Sequence, residues 1–230
     1  VELVARLSGE CGARAHIVHL ASSSALEIVR RAKDAKAPFT AETCPHYLTF
    51  ASEEIPDGAT EYKCAPPIRE RDNREALWDA LRQDVLAQVV TDHSPAPAKL
   101  KCSDSGDFTK AWGGIASLQL GFAATWTGAR ARGMTLIDMA RLMCEGPARL
   151  LGLAGKKGTI AVGADADLAF VDPDADFTVD PKALQHRHPI TPYARRALQG
   201  RVVRTMLRGK TVYEAGTFSP PEGRWLRRTR

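Results

Sequence analysis

Up to about residue 130, the chain alternates short apolar runs with longer segments in which apolar residues recur at helical spacing. The longer segments predict helices. One opens with the capping box Ser24-Ala25-Leu26-Glu27 and ends before Pro38, and another covers 72–81. The short runs predict four buried strands, at 15–20, 39–44, 61–65 and 85–91. This alternation predicts a parallel sheet with crossover helices, an α/β fold.

Both ends of this α/β region are predicted to be helical. Val1 already lies inside a helical pattern that ends at Gly9 or Gly12, so we expect further residues upstream of the chain. At the other end, one helix is predicted after Gly113-Gly114 and a second over 135–146.

Beyond Gly152 the sequence changes to short apolar runs separated by turn residues. These runs predict strands at 157–163 and 166–171 and a hairpin over 200–213. The pattern therefore divides the chain into two parts. They are an α/β unit, residues 1–150, and a β-rich segment, residues 151–230.

The composition is that of a globular protein without a membrane-spanning segment. Apolar residues make up 44% of the 230 residues and charged residues 26%, as in ordinary globular proteins, and no apolar run is long enough to span a membrane. Five scattered cysteines without CxxC spacing argue against a disulfide framework and predict a reducing cytoplasm. The net charge of +5 is concentrated near 201–210 and 224–230. Because no recognition motif accompanies these basic residues, we expect no nucleic-acid partner.

A side chain that can bind a metal lies at the carboxyl end of each of three predicted strands: His19, His46 and Asp92. Singly, each has a structural interpretation, since strand-end histidines are often hydrogen-bonded within the fold and Asp-His-Ser-Pro can form a turn. Together, at the carboxyl ends of separate strands, they indicate a hydrolytic metal site with a position left open for water. A carboxylate beside the metal can move a proton to the leaving group. His16 lies three positions before His19 and is interpreted as structural.

Several strings of residues carry a family resemblance. They are Glu-Thr-Cys-Pro-His-Tyr-Leu (42–48), Lys-Cys-Ala-Pro-Pro-Ile-Arg-Glu (63–70), Thr-Asp-His-Ser-Pro (91–95), Gly-Asp-Phe (106–108) and Ala-Trp-Gly-Gly-Ile-Ala-Ser-Leu-Gln (111–119). With His186-Arg187-His188 and Thr191-Pro192-Tyr193, they make the sequence similar to the allantoinases, cyclic amidohydrolases related to hydantoinases and dihydroorotases. The segment 157–168 resembles the wider amidohydrolase superfamily. The resemblance extends over about residues 16–216.

The resemblance implies a fold and a reaction. The fold would be the C-terminal half of a (β/α)8 TIM-type barrel, with strands five to eight in residues 1–150, followed by part of a small β-sandwich domain in residues 151–230. The reaction would be hydrolysis of the cyclic amide of allantoin to allantoate in purine breakdown. Two divalent metal ions would serve it, zinc first, with cobalt, manganese or iron as alternatives. A homo-oligomer, often a tetramer, is also implied.

The resemblance assigns residues to this reaction. His19 and His46 would bind the second metal, and Asp92 would bind the first and act as general base, then acid. His93 would orient Asp92 or the substrate, and Cys44 lies close to the site but needs no nucleophilic role. Further residues would offer backbone groups to the ring amides of the substrate: Cys64, Ala65, Gly113 and Gly114.

Two features of the family have no counterpart in this sequence. They are the His-x-His pair of the first barrel strand and the carboxylated lysine that bridges the metals. His186 and His188 fall after the barrel and are not given that role. We therefore expect little or no activity from residues 1–230 alone. The alternatives are another cyclic amidase, either a hydantoinase or a dihydroorotase, and a truncated remnant without catalysis.

Overall fold

A computed structural model describes residues 1–226, so Arg227, Arg228 and Arg230 of the basic tail lie outside the described residues. The described part forms these α-helices: α1 (Glu2–Cys11), α2 (Leu26–Asp34), α3 (Pro45–Thr49), α4 (Arg71–Arg82), α5 (Gly121–Arg130), α6 (Leu136–Ala140) and α7 (Gly146–Leu150). It forms these strands: β1 (Ala15–Ile17), β2 (Phe39–Thr43), β3 (Gln88–Val89), β4 (Leu168–Thr178), β5 (Ala197–Leu207), β6 (Lys210–Glu214) and β7 (Thr217–Phe218).

The strands belong to two sheets. The first is parallel and three-stranded, in the order β1-β2-β3, with Ala15 opposite Phe39 and Glu42 opposite Gln88. The second is antiparallel and four-stranded, in the order β4-β5-β6-β7. The α/β pattern of residues 1–150 is therefore confirmed as a mixed helix and parallel-strand region, and the later residues form the β-rich region.

The prediction of a strand at 61–65 is wrong. Thr60–Tyr62 is a 3-10 turn, and the backbone amides of Tyr62 and Lys63 donate to the carbonyls of Ala59 and Thr60 at 3.1 and 3.0 Å. Because these amides are bonded locally, they do not pair with a neighbouring strand. The parallel sheet of the described residues consequently has three strands and not four.

The helix α4 forms where it was predicted and carries much of the core. Its residues Leu77, Trp78 and Leu81 are almost completely buried. The Trp78 indole Nε1 donates to the carbonyl of Leu48 at 3.0 Å, which ties α4 to the end of α3. Burial of large apolar side chains with satisfied polar atoms is what a stable core requires.

Some helix boundaries differ from the prediction. No capping box forms at α2, because the Ser24 hydroxyl pairs with that of Ser22 at 2.8 Å and a 3-10 turn precedes the helix. The helix predicted directly after Gly113-Gly114 begins only at α5. The intervening Ile115 pairs with His93 in a parallel bridge and is not free to join a helix.

The helix predicted over 135–146 begins as expected and ends later. Thr135 and Asp138 form a reciprocal capping box at the start of α6. The helix then passes through a π turn, Arg141–Glu145, and continues into α7, where Pro147 occupies an early position that tolerates proline.

In the antiparallel sheet, the hairpin predicted over 200–213 is confirmed. Arg208 and Gly209 form its two-residue turn with φ angles of 49° and 81°, the left-handed pair that a tight hairpin needs. The strand predicted at 157–163 is absent from the described structure, because Gly158 and Gly163 both have φ of 88°. Among residues 1–226, no helix combines the length and apolarity needed to cross a bilayer.

Candidate active site

The metal-capable residues predicted from the sequence lie beyond the carboxyl ends of the parallel strands. His19 follows β1, His46 is in the first turn of α3 after β2, and Asp92 follows β3. His19 and Asp92 have φ angles of 39° and 43°, a left-handed conformation that side-chain-bearing residues rarely adopt. Strained backbone of this kind is concentrated at functional sites, where surrounding structure holds it in place.

A compact group of metal donors forms at this end of the sheet. A sulfur of Cys44, a ring nitrogen of His46 and a carboxylate oxygen of Asp92 all lie within 4.8 Å of one another. The structure thus brings His46 and Asp92 together as predicted, and it adds Cys44. His19 lies outside this tight group, and its charge lowers the pKa of both His46 and Asp92.

The imidazole of His46 is fully buried, and within residues 1–226 neither ring nitrogen has a hydrogen-bond partner. A buried polar atom without a partner costs about 1–3 kcal/mol, so such a histidine requires an explanation. Burial, with a smaller effect from His19, lowers the pKa of His46 to about 3. The ring is therefore neutral at pH 7, which is the form that binds metal ions.

The other two donors are also affected by burial. Burial raises the pKa of the Asp92 carboxyl, the charge on His19 opposes this rise, and Glu42 adds to it. Burial, and secondarily Asp92, raises the pKa of the Cys44 thiol. One sulfur, one nitrogen and one oxygen donor form a set suited to a divalent ion such as zinc.

His16 is a structural residue, as predicted. Its Nε2 lies 2.9 Å from a Glu42 carboxylate oxygen, and its Nδ1 lies 2.7 Å from the Thr40 hydroxyl. Gln88 donates to the same carboxylate oxygen at 2.6 Å. Burial alone would raise the pKa of Glu42, but the hydrogen bonds from His16 and Gln88 outweigh it and lower the pKa. This network crosses all three parallel strands below the donor group.

Four of the residues predicted to bind substrate lie next to one another and are called the wall of the site: Cys64, Ala65, Gly113 and Gly114. The Gly114 amide donates to the carbonyl of Lys63 at 3.0 Å, which joins the segment of Cys64 and Ala65 to the Gly113-Gly114 loop. A side chain at Gly113 would lie 3.4 Å from the Ala65 Cβ, so the two backbones approach closely. Asp92 affects the pKa of Cys64, which places the wall next to the donor group.

Lys101 holds this wall together and was missed by the sequence analysis. Lys101 is 3% exposed, and its ammonium donates to the carbonyls of Lys63, Trp112 and Gly114 at 2.9, 3.0 and 2.8 Å. Burial lowers its pKa to about 8. In the sequence it is one of two lysines in a polar loop, and nothing in the loop pattern distinguishes it from the exposed Lys99.

His93 occupies a defined orientation beside the donor group. Its Nδ1 accepts from the backbone amides of Ser117 and Leu118, both at 3.0 Å, so its proton is on Nε2. The ring of His186 packs edge-on against it, with centroids 5.1 Å apart. His186 was given no role in the sequence because it falls after the predicted barrel, more than 90 residues beyond His93.

The comparisons with known proteins agree with this geometry. The profile of the "Amidohydrolase family" matches residues 4–212. This chain belongs to the amidohydrolase family. The amidohydrolase chain is 52% identical to the allantoinase of Streptomyces avermitilis over 94% of its own length and 48% of the relative's. It is 43% identical to the allantoinase of Saccharomyces cerevisiae over 92% of its length and 45% of the relative's.

Solved structures give the same assignment of the fold. The L-hydantoinase (dihydropyrimidinase) from Arthrobacter aurescens superimposes with a TM-score of 0.89 at 29% identity, covering 94% of this amidohydrolase chain and 48% of that one. The chain therefore spans about half the length of the curated relatives and solved structures that it matches. Amidohydrolases depend on divalent metals, and the donor group with its unpartnered His46 nitrogens fits that requirement.

Proposed function

We propose that this chain provides part of the active site of an allantoinase, which hydrolyses the cyclic amide of allantoin to allantoate. The observation that carries the proposal is the metal-donor group of His46 and Asp92 beside a wall of closely packed backbone. Identities of 52% and 43% to two allantoinases favour allantoin as the substrate. Solved hydantoinases at 28–31% identity favour a second candidate, the opening of hydantoin rings.

His19 and His46 would hold one metal ion and Asp92 another, with zinc as the first choice for both. A bound divalent ion supplies Lewis acidity, which polarises a carbonyl oxygen and acidifies water. The buried, neutral His46 and the raised pKa of Asp92 support the assignment. A carboxyl whose pKa is raised toward the working pH is better matched to transferring protons in both directions.

The protein groups divide the work of hydrolysis. Water adds to the ring carbonyl carbon, and Asp92 accepts the proton that water loses. Asp92 then returns this proton to the ring nitrogen as the carbon–nitrogen bond breaks. Backbone groups at Cys64, Ala65, Gly113 and Gly114 hold the ring amides, while His93 presents a fixed Nε2 proton to the site.

We further propose that residues 1–150 are the C-terminal part of a (β/α)8 barrel, with the antiparallel sheet of residues 151–230 contributing to a small β-sandwich. The superposition on half of a hydantoinase supports this division. Leu3 and Leu7 of α1 and Val18 beyond β1 are exposed, which gives the rest of a barrel an apolar surface to pack against. A homo-oligomer in the cytoplasm completes the proposal.

The test uses a chimera in which the Streptomyces avermitilis relative supplies the half of its sequence that this chain does not match. Loaded with zinc, the chimera is offered allantoin, hydantoin and dihydroorotate in competition. We expect turnover of allantoin. We expect Asp92→Asn to lower kcat by about 10²-fold or more, since general acid–base groups contribute about 10²–10⁴. The exposed Asp104→Asn is the matched control. Opening of hydantoin with allantoin untouched would refute the proposal, and we expect no turnover from residues 1–230 alone.

A further inference from the structure

A segment of the β-rich region, residues 185–191, is hydrogen-bonded to a turn of the α/β region, residues 116–119. The Thr191 hydroxyl donates to the Ala116 carbonyl at 2.6 Å, and both residues are buried. The first residue of the segment donates its backbone amide to the side-chain oxygen of Gln119 at 2.9 Å. The segment therefore fixes both ends of the turn, and the bond from Thr191 does so away from water.

The same turn orients His93. In its middle, the backbone amides of Ser117 and Leu118 both donate to the His93 Nδ1 at 3.0 Å. The Ser117 hydroxyl donates to the carbonyl of Thr91, just after β3, at 3.0 Å. A ring nitrogen that accepts hydrogen bonds carries no proton, so the turn sets the tautomer of the neutral His93 ring. A displaced turn would change both the position of that ring and the nitrogen that holds its proton.

His186, within the segment, also contacts His93 directly. The two rings meet edge to face, with centroids 5.1 Å apart and planes at 70°. Both ring nitrogens of His186 are buried and lack a hydrogen-bond partner among residues 1–226. An apolar ring would fill the same space without leaving polar atoms unpaired, so simple packing explains a histidine here poorly. An edge-to-face imidazole pair uses the polarity of the rings, because the positive edge of one faces the negative face of the other.

We propose that segment 185–191 is a positioning element of the candidate active site, in which Thr191 and His186 fix the orientation of His93. Three contacts of the segment act on this one ring, one directly and two through the turn. A segment that only joined the two regions could bond to any surface, whereas these bonds lie on either side of the two amides that His93 accepts. The inference deepens the proposed function and rests on it, because His93 presents its Nε2 proton to a substrate only if the site is catalytic.

The experiment determines the tautomer of His93 from the nitrogen-15 resonances of its ring in the complete 230-residue chain. Thr191→Val keeps the shape of the side chain but leaves the buried Ala116 carbonyl without its donor, which loosens the turn. We expect an unprotonated Nδ1 in the wild type and in Thr191→Ser, which retains the hydroxyl. In Thr191→Val we expect the Nδ1 resonance to shift toward its protonated value. Because the shift belongs to the folded state, a loss of stability alone would not produce it.

His186→Ala is the second variant, and it decides the question if Thr191→Val does not fold. It leaves both bonds of the segment in place and removes the direct ring contact, so we expect a smaller shift of the same Nδ1 resonance. Arg187→Ala, at an exposed position of the same segment, is the matched control and should keep the wild-type resonances. In the chimera, Thr191→Val and His186→Ala should each lower kcat/KM for allantoin by about 10-fold or more, since a misplacement of about 1 Å can cost about 10²-fold.

The outcomes separate the two proposals. Wild-type His93 resonances in folded Thr191→Val and His186→Ala would overturn the inference. Shifted resonances in variants of a chimera that leaves allantoin intact would overturn the proposed function alone. Allantoin turnover by a chimera whose variants keep the His93 resonances unshifted would overturn the inference alone.

Discussion

Replacing Lys101 by methionine tests whether one buried ammonium holds the wall of the candidate site together. Methionine keeps most of the length of the side chain but removes its charge and all three hydrogen bonds. The Lys63 carbonyl keeps the Gly114 amide as a donor. Among the hydrogen bonds of residues 1–226, the carbonyls of Trp112 and Gly114 are bonded by Lys101 alone.

The expected loss of stability in Lys101→Met follows from the two carbonyls that lose their donor. The Gly114 carbonyl is buried, and leaving it without a partner costs about 1–3 kcal/mol. The Trp112 carbonyl is only part-buried and belongs to a half-exposed residue, so water can replace its lost donor and its loss adds less. Removing the buried charge relieves a desolvation cost and offsets part of this. We expect the free energy of unfolding to fall by about 1–3 kcal/mol, a sizeable share of the roughly 5–15 kcal/mol that stabilises a typical domain.

The size of this loss should depend on pH. The folded-state pKa of Lys101 is about 8, below its ordinary value of 10.5. Between these values the unfolded chain holds more protons on this residue than the folded chain, so wild-type stability gains a contribution that rises with pH. The methionine variant lacks that contribution, and its deficit should therefore be larger at pH 9.5 than at pH 7.5, two values chosen inside and below this window.

The assay is urea unfolding at both pH values, with the exposed neighbour Lys99→Met as the matched control. The control should change the free energy of unfolding by no more than about 0.5 kcal/mol. If Lys101→Met is no more destabilising than the control, the three hydrogen bonds do not hold the wall. If its deficit does not grow with pH, Lys101 does not titrate in the expected window.

Two further substitutions test packing. Gly114→Ala would place a new Cβ 2.5 Å from the Ser94 hydroxyl oxygen and 2.7 Å from the Ser94 carbonyl oxygen. We expect the free energy of unfolding, measured in urea, to fall by about 1–3 kcal/mol. The control Gly223→Ala meets no atom within 4 Å and should leave stability unchanged. Leu77→Ala, at a completely buried position in α4, should cost about 2–5 kcal/mol, whereas Ile137→Ala, at an 81% exposed position, should stay close to wild type. Equal effects within either pair would contradict the packing described.

The sequence predicted those features that depend on local periodicity or on strand ends. Helix α4, the turn at Arg208 and Gly209 and the start of a helix at Thr135 are local features, and each forms as expected. The meeting of His46 and Asp92 was also predicted, because the carboxyl ends of neighbouring parallel strands must converge on one edge of a sheet.

The features that were missed depend on contacts between distant residues. The segment 61–65 was predicted to be a strand, but its backbone amides at 62 and 63 donate hydrogen bonds within a local turn. Lys101 is distinguished from Lys99 only by three carbonyls, all of them more than ten residues away along the chain. Cys44 was placed near the site, but its closeness to both His46 and Asp92 was not predicted, since those distances exist only in three dimensions.

The middle of the parallel sheet and its carboxyl end differ in how completely their polar groups are bonded. In the middle, Glu42 accepts bonds from both neighbouring strands. At the carboxyl end, His46 has two unpartnered nitrogens, and His19 and Asp92 adopt left-handed backbone, each feature costing on the order of 1–3 kcal/mol. Departures of this kind are expected at functional sites. A metal at 100 times its Kd would stabilise the folded chain by about 2.7 kcal/mol, comparable to one or two of these costs. The carboxyl end is therefore best explained as a site whose local cost is offset when an ion binds.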